Sequence, residues 1–132
     1  MRLTFMGTGT SHGIPVIACD CPVCTSKNPK DMRNRCSVYI TCPDSDGKTT
    51  GILIDTGPEF RIQALKYKVN SIRAVLLTHS HADHLNGLDD LRIFSHTQFS
   101  ANCKSSSNPE KDYPETNGQG LPIYANSNTI RL

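Results

Sequence analysis

Hydrophobic and polar positions change rhythm several times along the chain, and each change marks an element. Residues 2–7 (Arg-Leu-Thr-Phe-Met-Gly) predict a short strand that runs into a glycine-rich turn, Gly7-Thr8-Gly9-Thr10-Ser11-His12-Gly13. Residues 14–35 follow no period and hold three clustered cysteines together with Pro15, Pro22 and Pro29. Alternation returns at 36–42, which predicts a second strand. Pro43 to Lys48, with Asp46-Gly47 inside it, carries a hairpin signal, and 51–55 predicts the returning strand. Pro58, favoured in a first helical turn, opens a helix whose apolar face takes Phe60, Ala64, Leu65 and Tyr67. The apolar run 72–77 suits a strand buried on both faces. Leu85, Leu88, Leu91 and Phe94 recur at helical spacing and predict one helix over 85–94. Residues 97–120 are crowded with Ser, Asn, Lys, Glu, Gly and Pro, and are expected to form a polar, disordered insertion. Residues 121–125 predict a last strand, and Ser127 is expected to cap a helix beyond it.

Composition adds a few bounds. A chain of 132 residues is one domain, and its apolar fraction of 36% is low, which the polar insertion explains. The formal charge of +2 is no nucleic-acid footprint, so a nucleic-acid partner is not expected. The sequence has neither the apolar stretch of a signal peptide nor a run of about 18 apolar residues that would span a membrane. The expected location is the cytoplasm, where six cysteines are read as thiols or metal ligands before disulfides. Ending one turn into an element, the chain is expected to be an incomplete domain.

Chemistry concentrates in two places. Thr78-His79-Ser80-His81-Ala82-Asp83-His84 follows the apolar run directly. In extended chain, residues two apart point the same way, so His79 and His81 can grip one ion. The turn into the next helix swings Asp83 and His84 toward a neighbouring position. Imidazole beside carboxylate suits a hydrolytic divalent ion rather than a purely structural one. The alternative, a chance cluster of solvated histidines, fits poorly with four ligand-type residues in six positions. The second place is Cys19-Asp20-Cys21-Pro22-Val23-Cys24, whose three thiolates can cover three corners of a zinc tetrahedron. Cys36 and Cys42 show no ligand spacing and are expected to be small buried side chains, and Cys103 a loop thiol. Arg33 and Arg35 are candidates to pair with a phosphate, or simply arginines on a solvated strand edge. His12 is either a substrate-facing residue or a solvated one. Asp89 and Asp90 are expected to be solvated or capping groups.

The motif His-x-His-x-Asp-His after an apolar strand, with Asp55-Thr56-Gly57 closing an earlier one, resembles the metallo-β-lactamase superfamily. The resemblance implies an α/β fold, the αββα sandwich, of which this chain would form the N-terminal half: a mixed β-sheet with flanking helices. It also implies that His79 and His81 bind one divalent ion, and Asp83 and His84 a second, as zinc or manganese. Asp55 would brace the site, and with Asp83 and His84 belong to its catalytic set. Gly7 to Pro15, the cysteine knuckle, Arg33-Asn34-Arg35, Asp55 to Arg61 and Thr78 to Arg92 occur in one order that resembles the PhnP group. These are cyclic phosphodiesterases that use a metal-bridged water and carry one structural zinc on knuckle cysteines. A pyrroloquinoline-quinone biosynthesis family has a similar knuckle, but Asn86 to Arg92 fits the PhnP group better.

The expected function is therefore metal-dependent hydrolysis of a small, cyclic phosphodiester. A catalytically incomplete zinc-binding fragment is the first alternative. An RNA-processing nuclease is the second, although Ala82 stands where those enzymes carry glycine. The superfamily also needs a third histidine, a bridging aspartate and a final histidine, all beyond residue 84. Only His96 follows, and Asp89, Asp90 and Asp112 lie in no strand-end motif. Two ligands per ion should bind weakly, so a complementing C-terminal half or a homo-oligomer is the expected partner.

Overall fold

The structure, a computed structural model, describes residues 1–43, 47, 49–96 and 120–130. Five strands form one mixed sheet in chain order: β1 (Arg2–Gly7), β2 (Ser37–Pro43), β3 (Thr49–Ile54), β4 (Ala74–Leu77) and β5 (Ile123–Ala125). The first three pair antiparallel, and β3, β4 and β5 pair parallel. The parallel step from β3 to β4 is made by α1 (Phe60–Tyr67), since a parallel pair needs a crossover. A mixed sheet with flanking helices is the α/β architecture expected.

One face of the sheet is packed. Met6, Tyr39, Leu53 and Val75 lie on it and meet Phe60 of α1, with Ile72 and Leu91 completing the buried cluster. Burying side chains of this size contributes roughly 1.5–3 kcal/mol each against leaving them in water. Tyr39 enters this core because its hydroxyl donates to the Ser71 carbonyl at 2.6 Å.

The other face is apolar, and no layer covers it among the described residues. The register aligns Phe5, Val38, Ile54, Leu76 and Tyr124 in one row across all five strands. Leu3, Ile40, Ile52 and Ala74 form a second row beside it. Phe5 is 62% exposed and Tyr124 58%. The run 72–77 therefore has its apolar character for a reason, but Leu76 is exposed rather than buried among the described residues.

Four further expectations need correction. The α1 face pointing inward is Phe60, Gln63 and Ala64, while Leu65 is exposed. Buried Gln63 takes the place because its Nε2 donates to the Arg35 carbonyl at 2.9 Å. The helix expected over 85–94 is broken into α2 (Ala82–Leu85), a 3₁₀ turn (Leu88–Leu91) and α3 (Arg92–His96). The break comes at Gly87, whose amide leaves the helical ladder to donate to the Thr56 carbonyl at 2.8 Å. Asn126, not Ser127, caps α4 (Ser127–Ile130): its side chain accepts from the Thr129 amide at 2.9 Å. Cys36 is exposed and Cys42 half-buried, so neither is a core side chain. Cys103, Asp112, most of the Pro43–Lys48 turn and the 97–119 insertion lie outside the described residues.

Candidate metal centre

The histidine motif begins at the C-terminal end of β4, beside the end of β3. Crossing a parallel step brings two strand ends to the same edge, which is where α/β sheets build their sites. Asp55 ends β3 in a left-handed conformation, φ 59°, that aspartate tolerates better than most residues. Its amide donates to the Leu76 carbonyl at 2.9 Å, and the Asp55 carbonyl accepts from Ser37 Oγ at 2.9 Å. The backbone is thereby held so that the buried carboxylate faces the motif.

That carboxylate collects three donors. Oδ1 accepts from the Thr78 amide at 2.9 Å, and Oδ2 from Thr78 Oγ1 at 2.8 Å. His84 Nδ1 reaches Oδ2 at 2.8 Å, while its Nε2 lies 3.2 Å from Asp83 Oδ2. The ring centroids of His79 and His81 are 4.6 Å apart, and those of His79 and His84 are 4.0 Å apart. His81 is extended and α2 starts at the next residue, so the motif turns between the His79–His81 pair and the Asp83–His84 pair, as the sequence predicts. His79, His81, Asp83 and His84 are thus neighbours, with Asp55 directly beneath His84.

Close glycine contacts bring the layers together. A Cβ on Gly57 would run into the Asp83 carbonyl and meet Arg35 Cβ at 3.5 Å. One on Gly87 would collide with the Gly57 carbonyl. The Asp55–Glu59 turn therefore stacks against the motif on one side and the 33–35 segment on the other.

Arg35 sits in that stack rather than reaching into open space. Its Nε donates to the Ser11 carbonyl at 2.8 Å and its guanidinium pairs with Glu59 Oε1. These bonds tie the glycine-rich turn to the Asp55–Glu59 turn, so Arg35 is already engaged and is a poorer phosphate clamp than its sequence position suggests. Glu59 Oε2 and Gln63 Oε1, in the two side chains that bond Arg35, are buried without a partner among the described residues. Arg33 and His12 are exposed. Asp89 forms an exposed pair with Arg92 at 2.9 Å, the solvated role expected of it. Sequence reasoning passed over Thr78 and Gln63, because threonine and glutamine carry no ligand signature.

The cysteines form a separate cluster. The Ile14 and Arg33 amides and carbonyls pair across the base of their loop at 2.8 and 2.9 Å. Within it, the ligand atoms of Cys19, Cys21 and Cys24 all lie within 4.8 Å of one another. The Val16 amide donates to Cys24 Sγ at 3.3 Å and the Cys24 amide to Cys21 Sγ at 3.4 Å. Amides aimed at sulfur favour the thiolate, the form that binds metal. The Cys24 amide, with help from the Cys19 and Cys24 thiols, holds the Cys21 thiol down at about 7. For Cys24 the Val16 amide pulls down, but burial and the neighbouring sulfurs outweigh it and the thiol is pushed up. The donor set fits zinc, with one corner of a tetrahedron left to another group. Among the described residues, the histidine cluster brings no three donor atoms this close and offers pairs.

Fold and site together define an α/β layer with a histidine and aspartate cluster at the C-terminal ends of β3 and β4. Residues 50–119, a little over half of the chain, match the Beta-lactamase superfamily domain, and the chain belongs to that family. A crystal structure of "a New Diphosphatase from the PhnP Family" superposes with a TM-score of 0.74 and 42% identity, covering 98% of this chain and 43% of that one. Zinc-bound PqqB from Methylobacterium extorquens superposes with a TM-score of 0.58 and 27% identity, over 70% of this chain and 34% of that one. An octanoyltransferase from Porphyromonas gingivalis is 50% identical over 92 residues, which are 70% of this chain and 18% of that protein. Coenzyme PQQ synthesis protein B from Methylobacterium radiotolerans is 31% identical over 105 residues, covering 34% of its length. The chain thus spans between about a fifth and two-fifths of these relatives. No helix among the described residues is long and apolar enough to cross a membrane.

Proposed function

We propose that this chain supplies the first half of a two-metal hydrolase site acting on a phosphodiester. The observation that carries the reading is the buried Asp55 carboxylate, which holds His84 and Thr78 while the His79 ring lies 4.6 Å from that of His81 and 4.0 Å from that of His84. His79 and His81 would hold one divalent ion, Asp83 and His84 the other, and Cys19, Cys21 and Cys24 a structural zinc. Bound ions of this kind polarise a phosphoryl oxygen and lower the pKa of water. The residues themselves orient the site. Asp55 Oδ2 accepts from His84 Nδ1, which turns His84 Nε2 toward Asp83, so that an ion shared by Asp83 and His84 would meet that nitrogen. Likeness to a PhnP-family diphosphatase supports a phosphorus centre as the target, with a cyclic phosphodiester as the first choice and a diphosphate as the competitor.

Two donors per ion fall short of the three or more that a catalytic site of this kind uses. The reading therefore includes a complementing half, which brings further ligands and a second apolar β-layer to the bare face. The relatives' greater length supports this. A second reading, zinc binding without turnover, is favoured by one observation: the cysteines already form a three-donor set and the histidines do not.

Metal analysis and hydrolysis of bis-p-nitrophenyl phosphate separate the two. The hydrolase reading expects divalent ions beyond the knuckle zinc, lost in His79→Ala and His81→Ala together with turnover. A single zinc, lost in Cys21→Ser, with no turnover even beside a complementing half, would leave only the second reading.

A further inference from the structure

We infer that Thr78 is a positioning residue that passes the orienting effect of Asp55 on to His79, so that one buried carboxylate sets the tautomer of two histidines. The inference rests on the metal-site reading above and goes beyond it in naming how His79 is aimed.

Counting the available hydrogens fixes where they go. A threonine hydroxyl has one hydrogen to donate and lone pairs to accept with. Thr78 Oγ1 lies 2.8 Å from Asp55 Oδ2 and 2.9 Å from His79 Nδ1. The carboxylate carries no proton and can only accept, so the Thr78 hydrogen points to Asp55. The same oxygen can then only accept from His79, which requires the hydrogen of that ring to be on Nδ1. His79 Nε2 is left as a free lone pair, the state a metal ligand needs.

His84 has its Nδ1 hydrogen set by direct contact, Nδ1 to Asp55 Oδ2 at 2.8 Å, while its Nε2 faces Asp83 Oδ2 at 3.2 Å. The two histidines are therefore aimed by one group at two removes, one through carboxylate and one through hydroxyl. The Thr78 amide also donates to Asp55 Oδ1 at 2.9 Å, which fixes the hydroxyl's carrier to the carboxylate independently of its side chain. Removing the hydroxyl should thus release His79 and leave Asp55 and His84 in place. A free imidazole carries its hydrogen mainly on Nε2, so the tautomer required here is the uncommon one and can be recognised.

The test uses the metal-free full chain, with its histidines titrated to neutrality, and reads each ring's tautomer by nitrogen NMR. Wild type is expected to show His79 and His84 with hydrogen on Nδ1. Thr78→Val, nearly isosteric but without the hydroxyl, is expected to return His79 toward the Nε2–H form and leave His84 unchanged. Thr78→Ser is expected to restore the wild-type pattern. Calorimetric titration with Zn2+ should then show the His79–His81 ion weakened about 10- to 100-fold in Thr78→Val, and recovered in Thr78→Ser. His79 with hydrogen on Nε2 in the wild type, or a tautomer indifferent to Thr78→Val, would overturn the inference. Failure of the metal-site reading is distinguishable: the histidine motif would then take up no Zn2+, while the tautomers still decide the role of Thr78.

Discussion

At the scale of single residues, Asp55 carries more of the site than any ligand candidate does. It is buried, it accepts three hydrogen bonds, and its backbone is held in the left-handed region. Asp55→Asn keeps the shape and still tolerates that backbone, but its amide nitrogen must face a donor. We expect divalent-ion affinity at the histidine motif to fall about 10- to 100-fold, measured by calorimetry, with the knuckle zinc retained. Tyr39 offers a check on the core instead. Burial pushes its phenol above the ordinary tyrosine value. The stabilisation tied to the neutral form is fully present below the unfolded value of about 10 and is lost as pH rises through the higher folded value. Tyr39→Phe should flatten that alkaline loss in denaturation curves, and cost about 1 kcal/mol at neutral pH through the missing bond to Ser71. Such residues differ in how legible they were. Histidines and cysteines announce themselves by type and spacing, whereas Thr78 matters only for where its one hydrogen goes.

At the scale of elements, local pattern and tertiary contact disagree in instructive places. Leu85, Leu88, Leu91 and Phe94 keep helical spacing, yet the helix is interrupted because the Gly87 amide has a better partner across the stack. No propensity rule reads that, since the partner, Thr56, is 31 positions away. Gly87→Ala would improve helix propensity by up to about 1 kcal/mol in isolation. Here its Cβ meets the Gly57 carbonyl, so we expect a net loss of roughly 1–3 kcal/mol in denaturant unfolding. A gain in stability would mean that the stacking of the two turns is not tight. In α1 the same override acts on a face: Gln63 is buried and Leu65 exposed, because the Arg35 carbonyl offers Gln63 a partner. Arg35 likewise was legible as a cation near the site, but its bonds to Ser11 and Glu59 make it a tie between two turns.

At the scale of the whole molecule, the dominant feature is a sheet packed on one face and open on the other. Two apolar rows, from Phe5 to Tyr124 and from Leu3 to Ala74, run across the strands without a covering layer among the described residues. Monomeric proteins seldom expose apolar patches beyond a few hundred Å². We expect the purified 132-residue chain to bind a hydrophobic dye and to associate with rising concentration in light scattering. Phe5→Lys with Leu76→Lys should suppress both, and should leave the knuckle zinc in place because the cysteines are held by bonds within their own loop. A monodisperse monomer with no dye binding would count against an open apolar face and against the complementing layer proposed above.

The sequence by itself determined the order of the strands, the histidine and cysteine motifs and the family they belong to. Those properties are written in short-range spacing: two residues apart in extended chain, three to four in a helix, and cysteines close enough to share an ion. Tertiary structure alone decided which carboxylate the histidines lean on, which helical face is inside, and which side of the sheet the described residues leave uncovered. Each of these depends on a partner supplied from a distant part of the chain, and a buried polar group goes where its hydrogen bond is, whatever the local pattern prefers.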